Sequence, residues 1–309
     1  MKEGWRDRIQ AALPTARVRF DQPLRNATTL RIGGPADCFA EIEEEEELGA
    51  LLGVVGEYCL PFFILGKGSN VLVPDEGLRG VVVRLGRGFG SVAIKGTAVS
   101  AGAGCANAAF VERCRVAGLG GMEFLIAVPG TIGGAVAMNA GAHDGETARI
   151  LAAVRYFQIG EGLREEAASA FSFAYRHSPL QGQQGRIVLS ADFRLEPRPK
   201  EQIAERVAAF QTYRRETQPR DFPNCGSVFK NPPGDFAARL IEAAGLKGKI
   251  LGNAQVSEKH ANFIVNRGGA MASEVLALVD LIRENVYSQS GIVLDLELQV
   301  LSGSAPAAG

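Results

Sequence analysis

Two stretches concentrate the residues that could hold a phosphate. They are Leu65-Gly-Lys-Gly-Ser-Asn-Val-Leu-Val73 and Val128-Pro-Gly-Thr-Ile-Gly-Gly-Ala-Val-Ala-Met-Asn-Ala-Gly141, each set among apolar residues. Glycine brings no side chain, so backbone N–H groups can turn inward and approach a phosphate closely. Neither stretch meets a dinucleotide or NTPase fingerprint. Gly66-x-Gly68 lacks a third glycine at Val71, and G-x-x-x-x-G-K-S/T occurs nowhere. On spacing alone, tight hairpins and phosphate cradles are equal readings. The three histidines, His143, His177 and His260, show no H-x-x-x-H spacing, and the five cysteines (Cys38, Cys59, Cys105, Cys114 and Cys225) form no C-x-x-C pair. No metal site is expected, and the odd, unpaired cysteine set fits a reducing compartment. His260 reads as structural, and Cys225 as a small packing residue rather than a nucleophile.

The elements that must carry these loops follow from composition and pattern. Lys and Arg total 33 against 34 Asp and Glu, a formal net charge of −1. A broad electrostatic footprint for nucleic acid or acidic membranes is therefore absent. The 38 glycines exceed the roughly 22 expected at ~7% and are not periodic. Met1–Pro14 has no apolar stretch of a signal peptide, and the apolar run Leu48–Gly66 is interrupted by Glu57 and Pro61. A cytoplasmic protein is expected, with no membrane insertion; oligomeric state is left open.

At 309 residues, about two domains are expected. Glu43–Glu47 precedes Leu48, Leu51, Leu52 and Val55 and reads as the solvated acidic start of a helix. Strands are expected at Phe62–Leu65, Val71–Val73, Gly80–Leu85, Ile150–Ile159 and Ile187–Leu195, and a helix at Asn107–Ala117 stopped by Gly118. Pro197-Arg-Pro199 is the best linker signal. Beyond it, helices are expected around Ile203, Val207 and Phe210, after Asp235, and after Ser273, the last two residues as caps. A final strand, Ile292–Leu301, alternates, and its polar face (Asp295, Glu297, Gln299) reads as solvent-exposed on pattern alone. Gly303–Gly309 reads as frayed. The expected fold class is α+β, with a larger nucleotide-type domain over 20–196 and a smaller one over 203–302.

Thr28-Thr-Leu-Arg-Ile-Gly-Gly-Pro-Ala-Asp37 followed by the Leu65–Val73 loop resembles the start of a vanillyl-alcohol-oxidase-type FAD domain. More narrowly, the chain resembles the UDP-N-acetylenolpyruvoylglucosamine reductases. Pro129–Gly141, Phe173-Ala-Tyr-Arg-His-Ser178, Pro223-Asn-Cys-Gly-Ser-Val-Phe-Lys-Asn-Pro232 and Val256-Ser-Glu-Lys-His-Ala-Asn-Phe-Ile-Val-Asn266 follow in family order. The resemblance implies an FAD domain of two α+β subdomains and a C-terminal substrate domain. NADPH and UDP-GlcNAc-enolpyruvate are the implied small-molecule partners, and UDP-N-acetylmuramate the product. The FAD diphosphate is expected against Gly66, Gly68, Ser69, Asn70, Pro129, Gly130, Thr131, Gly133, Gly134, Asn139 and Gly141.

Hydride addition to the enolpyruvyl methylene carbon leaves charge on the adjacent carbon, delocalised into the carboxylate. A cation at that carboxylate and an acid for the carbanion are needed. Family position assigns catalysis to Arg176, Ser227 (the proton donor) and Glu297. Tyr175, Arg214, Lys230 and Asn231 are the candidates for substrate binding. If Phe171–Ser178 is extended, Tyr175 and Arg176 point oppositely. Two departures stand out. Only Pro179–Gly185 separates Ser178 from the next strand, as in a shorter subfamily without a tyrosine-bearing insertion. Thr217 stands before Gln218-Pro219, where a lysine is frequent, leaving Arg214 or Arg215 to meet the substrate diphosphate. Rival functions are an oxidase of the same fold and a non-enzymatic UDP-sugar-binding protein.

Overall fold

Apolar runs bounded by glycine turns build three larger sheets in the computed structural model, which describes residues 4–14, 17–181 and 185–302. The expected frayed end, Gly303–Gly309, lies outside the described residues. In the first sheet the strands run in the order Val18–Pro23, Pro35–Ile42, Leu78–Leu85, Phe62–Ile64, the last three mutually parallel. Both faces are covered, which is why these strands are apolar on consecutive residues. Helices α1 (Trp5–Ala12) and α2 (Glu45–Tyr58) pack on Cys38, Ala40, Val81 and Val83, while Phe39 and Val82 face Leu24, Leu65 and Val73.

The glutamate run is the acidic start of α2, as expected, with Glu44 and Glu46 exposed, and it also makes specific contacts. Glu44 and Glu47 form a reciprocal capping box. Glu47 also pairs with Arg17, Glu45 with Arg155, and Glu43 accepts the Gly88 N–H. The run braces the first sheet against neighbouring segments.

The second sheet is antiparallel, ordered Gly162–Ala167, Leu151–Gln158, Arg186–Arg194, Ala98–Gly102, Val92–Lys95. Helix α3 (Asn107–Val116) buries Phe110, Val111 and Cys114 against it, and Gly118 (φ 71°) lies past the helix end. The short α4 (Ile132–Ala137) joins the same core. So does α5 (Lys200–Thr217), through Ile203, Val207 and Phe210. The helix after the linker signal thus packs on the larger unit.

The third sheet, ordered Asn224–Ser227, Phe263–Asn266, Ala254–Val256, Ile250–Leu251, is antiparallel and backed by α6 (Ala237–Ala243) and α7 (Ala272–Ser290). Ser273 is not the α7 cap. That role falls to Asp75 of the first unit, whose carboxylate accepts from the Ala272 N–H (2.6 Å), the Ser273 N–H (3.0 Å) and the Ser273 hydroxyl (3.0 Å). The expected strand over Ile292–Leu301 shrinks to Gln299–Val300, parallel to Val71–Leu72, with an isolated bridge between Phe229 and Leu296. The preceding residues stay irregular as they run from the bridge at Phe229 to the separate two-stranded pairing with Val71–Leu72. Among the described residues no helix is long and apolar enough to cross a membrane.

Candidate active site

The three units meet around a cleft of about 1760 Å³, lined by both glycine loops, Arg176, Arg214, Ser227 and Glu297. That volume exceeds the few hundred to ~1,000 Å³ of a typical small-ligand pocket, and suits a dinucleotide with a second ligand. The two loops touch: the Ser69 hydroxyl donates to the Pro129 carbonyl at 2.6 Å. A Cβ on Gly66 would lie 3.0 Å from Thr131 Oγ1, and one on Gly130 would lie 3.4 Å from Ser69 Oγ. On Gly68 (φ 62°) it would meet the Ala27 carbonyl at 2.4 Å. The N–H groups of Lys67, Gly68, Ser69, Gly130 and Thr131 have no backbone acceptor among the described residues. Asn107, 1% exposed, donates to Val128 O at 3.0 Å, and its Oδ1 is left without a partner. Free donors from two sides and a buried orphan acceptor suit a bound pyrophosphate and its attached groups, so these residues fit FAD.

Arg84 is a residue the sequence reading missed. Its guanidinium lines the cleft and braces the first loop, donating to Gly66 O (3.1 Å) and Ala27 O (3.0 Å). Burial pushes its pKa down, opposed by Glu41. Nothing in the strand pattern of Gly80–Leu85 distinguishes it from a surface arginine.

Phe171–Ser178 is not extended. Ala174 and His177 exchange backbone hydrogen bonds (3.1 and 3.0 Å), putting Tyr175 and Arg176 at a turn tip, with Arg176 left-handed (φ 54°). The two side chains therefore do not oppose each other: the Arg176 guanidinium lies 4.8 Å from the centre of the Tyr175 ring. Arg176 Nε donates to Glu297 Oε1 at 2.9 Å and Nη2 to Gly141 O at 2.7 Å. Both side chains of this ion pair are mostly buried, 16% and 18% exposed.

Glu297 thus faces the cleft, not solvent as its strand pattern implied. Its N–H donates to Val228 O (2.9 Å) and its carbonyl accepts from Asn70 Nδ2 (3.1 Å). Burial raises the Glu297 pKa above the ordinary carboxylate range, and Arg176 and Lys230 pull the other way. A carboxyl group so placed can hold a proton closer to neutral pH than an exposed one. Ser227 precedes Val228 and lines the same cleft. A register shift between Asn224 and Ser227, with Gly226 at φ 81°, re-aims the strand there.

Other expected residues are spent elsewhere. Asn139 is buried and off the cleft wall, and its amide holds the chain itself, at Ala174 O (2.9 Å) and the Ala148 N–H (2.9 Å). Asn231 is likewise off the wall, its Oδ1 accepting from the Ala237 N–H at the start of α6 (3.1 Å). Lys230 acts on Glu297 through its charge without lining the cleft. Tyr175 is 47% exposed and also off the wall. Gly68, Asn70, Gly133, Gly134 and Gly141 line it.

Arg214 lines the cleft beside Arg220, another residue not singled out from sequence; neither has a carboxylate partner among the described residues. Burial and Arg220 push the Arg214 pKa down. Arg215 turns to Thr212 instead. Cys225 is buried at the edge of the cleft, and burial pushes its thiol up to about 12. His260 accepts from the Asn262 N–H and packs edge-on against Phe263, 4.7 Å between ring centres.

Residues 218–301 match the sequence model for the UDP-N-acetylenolpyruvoylglucosamine reductase C-terminal domain, and residues 36–163 that for an FAD binding domain. UDP-N-acetylenolpyruvoylglucosamine reductase 2 of Symbiobacterium thermophilum is 46% identical over 92% of this chain and 92% of its own. The chain belongs to the UDP-N-acetylenolpyruvoylglucosamine reductase family. The crystal structure of the reductase from Thermus caldophilus superposes with a TM-score of 0.79 at 39% identity, covering 91% of this chain and 97% of that one. An alkyldihydroxyacetonephosphate synthase, at 16% identity and a TM-score of 0.50, covers 64% of this chain and 42% of its own. That likeness concerns the fold alone. Within the reductase family, the α+β FAD-binding domain and smaller C-terminal domain are the architecture this chain displays.

Proposed function

We propose that the chain reduces UDP-GlcNAc-enolpyruvate to UDP-N-acetylmuramate, a peptidoglycan precursor, with NADPH as reductant. The glycine loops would hold FAD, which when bound would supply the hydride. Arg176 grips the enolpyruvyl carboxylate and steadies the charge that develops on it. Ser227 gives its proton to the carbon next to that carboxylate. Glu297 orients the Arg176 guanidinium and, through its raised pKa, serves as a reservoir from which a proton can reach the site. Arg214 meets the substrate diphosphate. One observation carries this function: Ser227 and the mostly buried Arg176–Glu297 pair share one cleft with the two glycine loops.

The same reading places the chain in the cytoplasm, in keeping with five free cysteines. The division proposed from composition, 20–196 and 203–302, becomes 20–217 and 218–302 once α5 is grouped with the core it packs on. The deciding assay follows NADPH oxidation with and without UDP-GlcNAc-enolpyruvate. Oxidation that depends on that substrate and yields UDP-N-acetylmuramate is expected. NADPH consumption indifferent to it, with molecular oxygen reoxidising the flavin instead, would return the chain to the oxidases of the same fold.

A further inference from the structure

We propose that Asn139 is a positioning residue for Arg176, a role that rests on the reductase reading above. Asn139 follows α4, the helix whose first turn leaves the phosphate loop at Gly130–Thr131. It is 1% exposed and left-handed (φ 42°). Its Nδ2 donates to Ala174 O at 2.9 Å and to Glu146 Oε2 at 3.3 Å, and its Oδ1 accepts from the Ala148 N–H at 2.9 Å. Ala174 opens the tight turn that carries Arg176. Two residues beyond Asn139, the Gly141 carbonyl accepts from Arg176 Nη2 at 2.7 Å.

One short segment, 139–141, therefore holds the arginine twice, by its turn and by its guanidinium. A left-handed arginine at a turn tip is not a conformation the local chain selects, so the surroundings must impose it. Asn139 is the group that ties that turn to the cofactor helix. Both of its amide donors are engaged within the chain, its oxygen accepts from Ala148, and it lies off the cleft wall. What it can affect is where the guanidinium sits when Glu297 and a substrate carboxylate share it.

Asn139→Gly tests this, because glycine tolerates the left-handed backbone and removes only the clamp. FAD affinity and flavin reduction by NADPH are expected within about threefold of the parent. Flavin reoxidation by UDP-GlcNAc-enolpyruvate is expected to slow by roughly tenfold to a hundredfold, the range that misplacement of a reacting group produces. The carboxyl limb of the pH–rate profile is expected to move to higher pH, as Glu297 loses its close cation. Combined with Arg176→Ala, the Asn139 change should add no further slowing. Equal slowing of both half-reactions, loosened FAD, or full additivity with Arg176→Ala would overturn the assignment.

If the glycine variant does not fold, Asn139→Asp keeps an acceptor for Ala148 while removing the donor to Ala174, and is read the same way. A readout independent of turnover is the Arg176 Nε–H resonance in arginine-labelled holoenzyme, identified by its loss in Arg176→Ala. It is expected to shift and broaden in the Asn139 variant. An unchanged resonance removes Asn139 from this role, whereas failure of the parent enzyme to use the substrate removes the reductase reading and leaves this test standing.

Discussion

Ser227 sits where a bulged strand end turns toward the cleft, next to the residue whose carbonyl holds Glu297. Its proposed role as proton donor concerns only one half-reaction. Reduction of FAD by NADPH requires no proton on the substrate carbon, so Ser227→Ala is expected to bleach the flavin at nearly the parent rate. Reoxidation by UDP-GlcNAc-enolpyruvate is expected to slow ~10²–10⁴-fold, or about 3–5 kcal/mol of barrier. Ser227→Cys should recover part of that loss, since a thiol is more acidic and similarly placed. Stopped-flow traces of the two half-reactions decide it: equal slowing of both, or of neither, removes Ser227 from the role.

The glycine loops act as elements because their tightness depends on several close approaches at once. A Cβ on Gly133 would sit 2.8 Å from Ala103 Cβ, so any side chain there displaces the start of α4 and with it the Gly130–Thr131 donors. Gly133→Asp adds a negative charge to that displacement. Purified variant is expected to be colourless and to take up FAD at least tenfold more weakly, a loss of about 1.4 kcal/mol or more. Yellow protein with parent affinity would argue against a cradle at this loop.

A second element is the hairpin Gly141–Glu146, seated on α5 by His143. That ring stacks on Phe210 at 4.1 Å and meets Tyr213 edge-on at 5.1 Å. Burial holds the His143 pKa below its ordinary 6.5, and Asp144 opposes the shift. The depressed base binds protons more readily unfolded than folded. Its contribution to stability is therefore complete above about 6.5 and lost as pH falls through the lower folded value. His260, also depressed by burial, acts in the same direction. Thermal unfolding midpoints should decline below pH 6.5, and less steeply in His143→Phe, with His260 supplying the remainder. Parallel curves for the two proteins would show that the stacked histidine does not titrate across this range.

At the scale of the whole molecule, the third unit is tied to the first by long-range polar contacts as well as by apolar packing. Asp75 caps α7 from across the junction, Thr29 Oγ1 donates to Asn224 O at 2.7 Å, and Asn266 Nδ2 donates to Leu30 O at 3.0 Å. Leu30, Ile32 and Leu72 complete the C-terminal core. Asp75→Ala leaves the first N–H groups of α7 without their acceptor, and is expected to cost about 1 kcal/mol of stability. Denaturant titration reads that cost. An unchanged midpoint would mean water replaces the carboxylate without loss.

What could be read from the chain was local. The glycine loops, the buried face of α3 and the unpaired cysteines depend on neighbours a few residues away, and periodicity and backbone chemistry suffice for them. The family motifs named Arg176, Ser227 and Glu297 without saying how they meet. Arg176 and Glu297 are 121 residues apart, and Asp75 and Ser273 are 198 apart. No pattern of period 2 or 3.6 encodes such a pairing. Alternation put Glu297 on a solvent face because it knows the strand and not the wall the strand runs along. An extended reading of Phe171–Ser178 missed the turn because the groups that Ala174 and Arg176 bond to, Asn139 and Gly141, come from another segment. Asn139, Asn231 and α5 show the same limit: an amide or an apolar face declares what it can bind, and packing chooses which partner it receives.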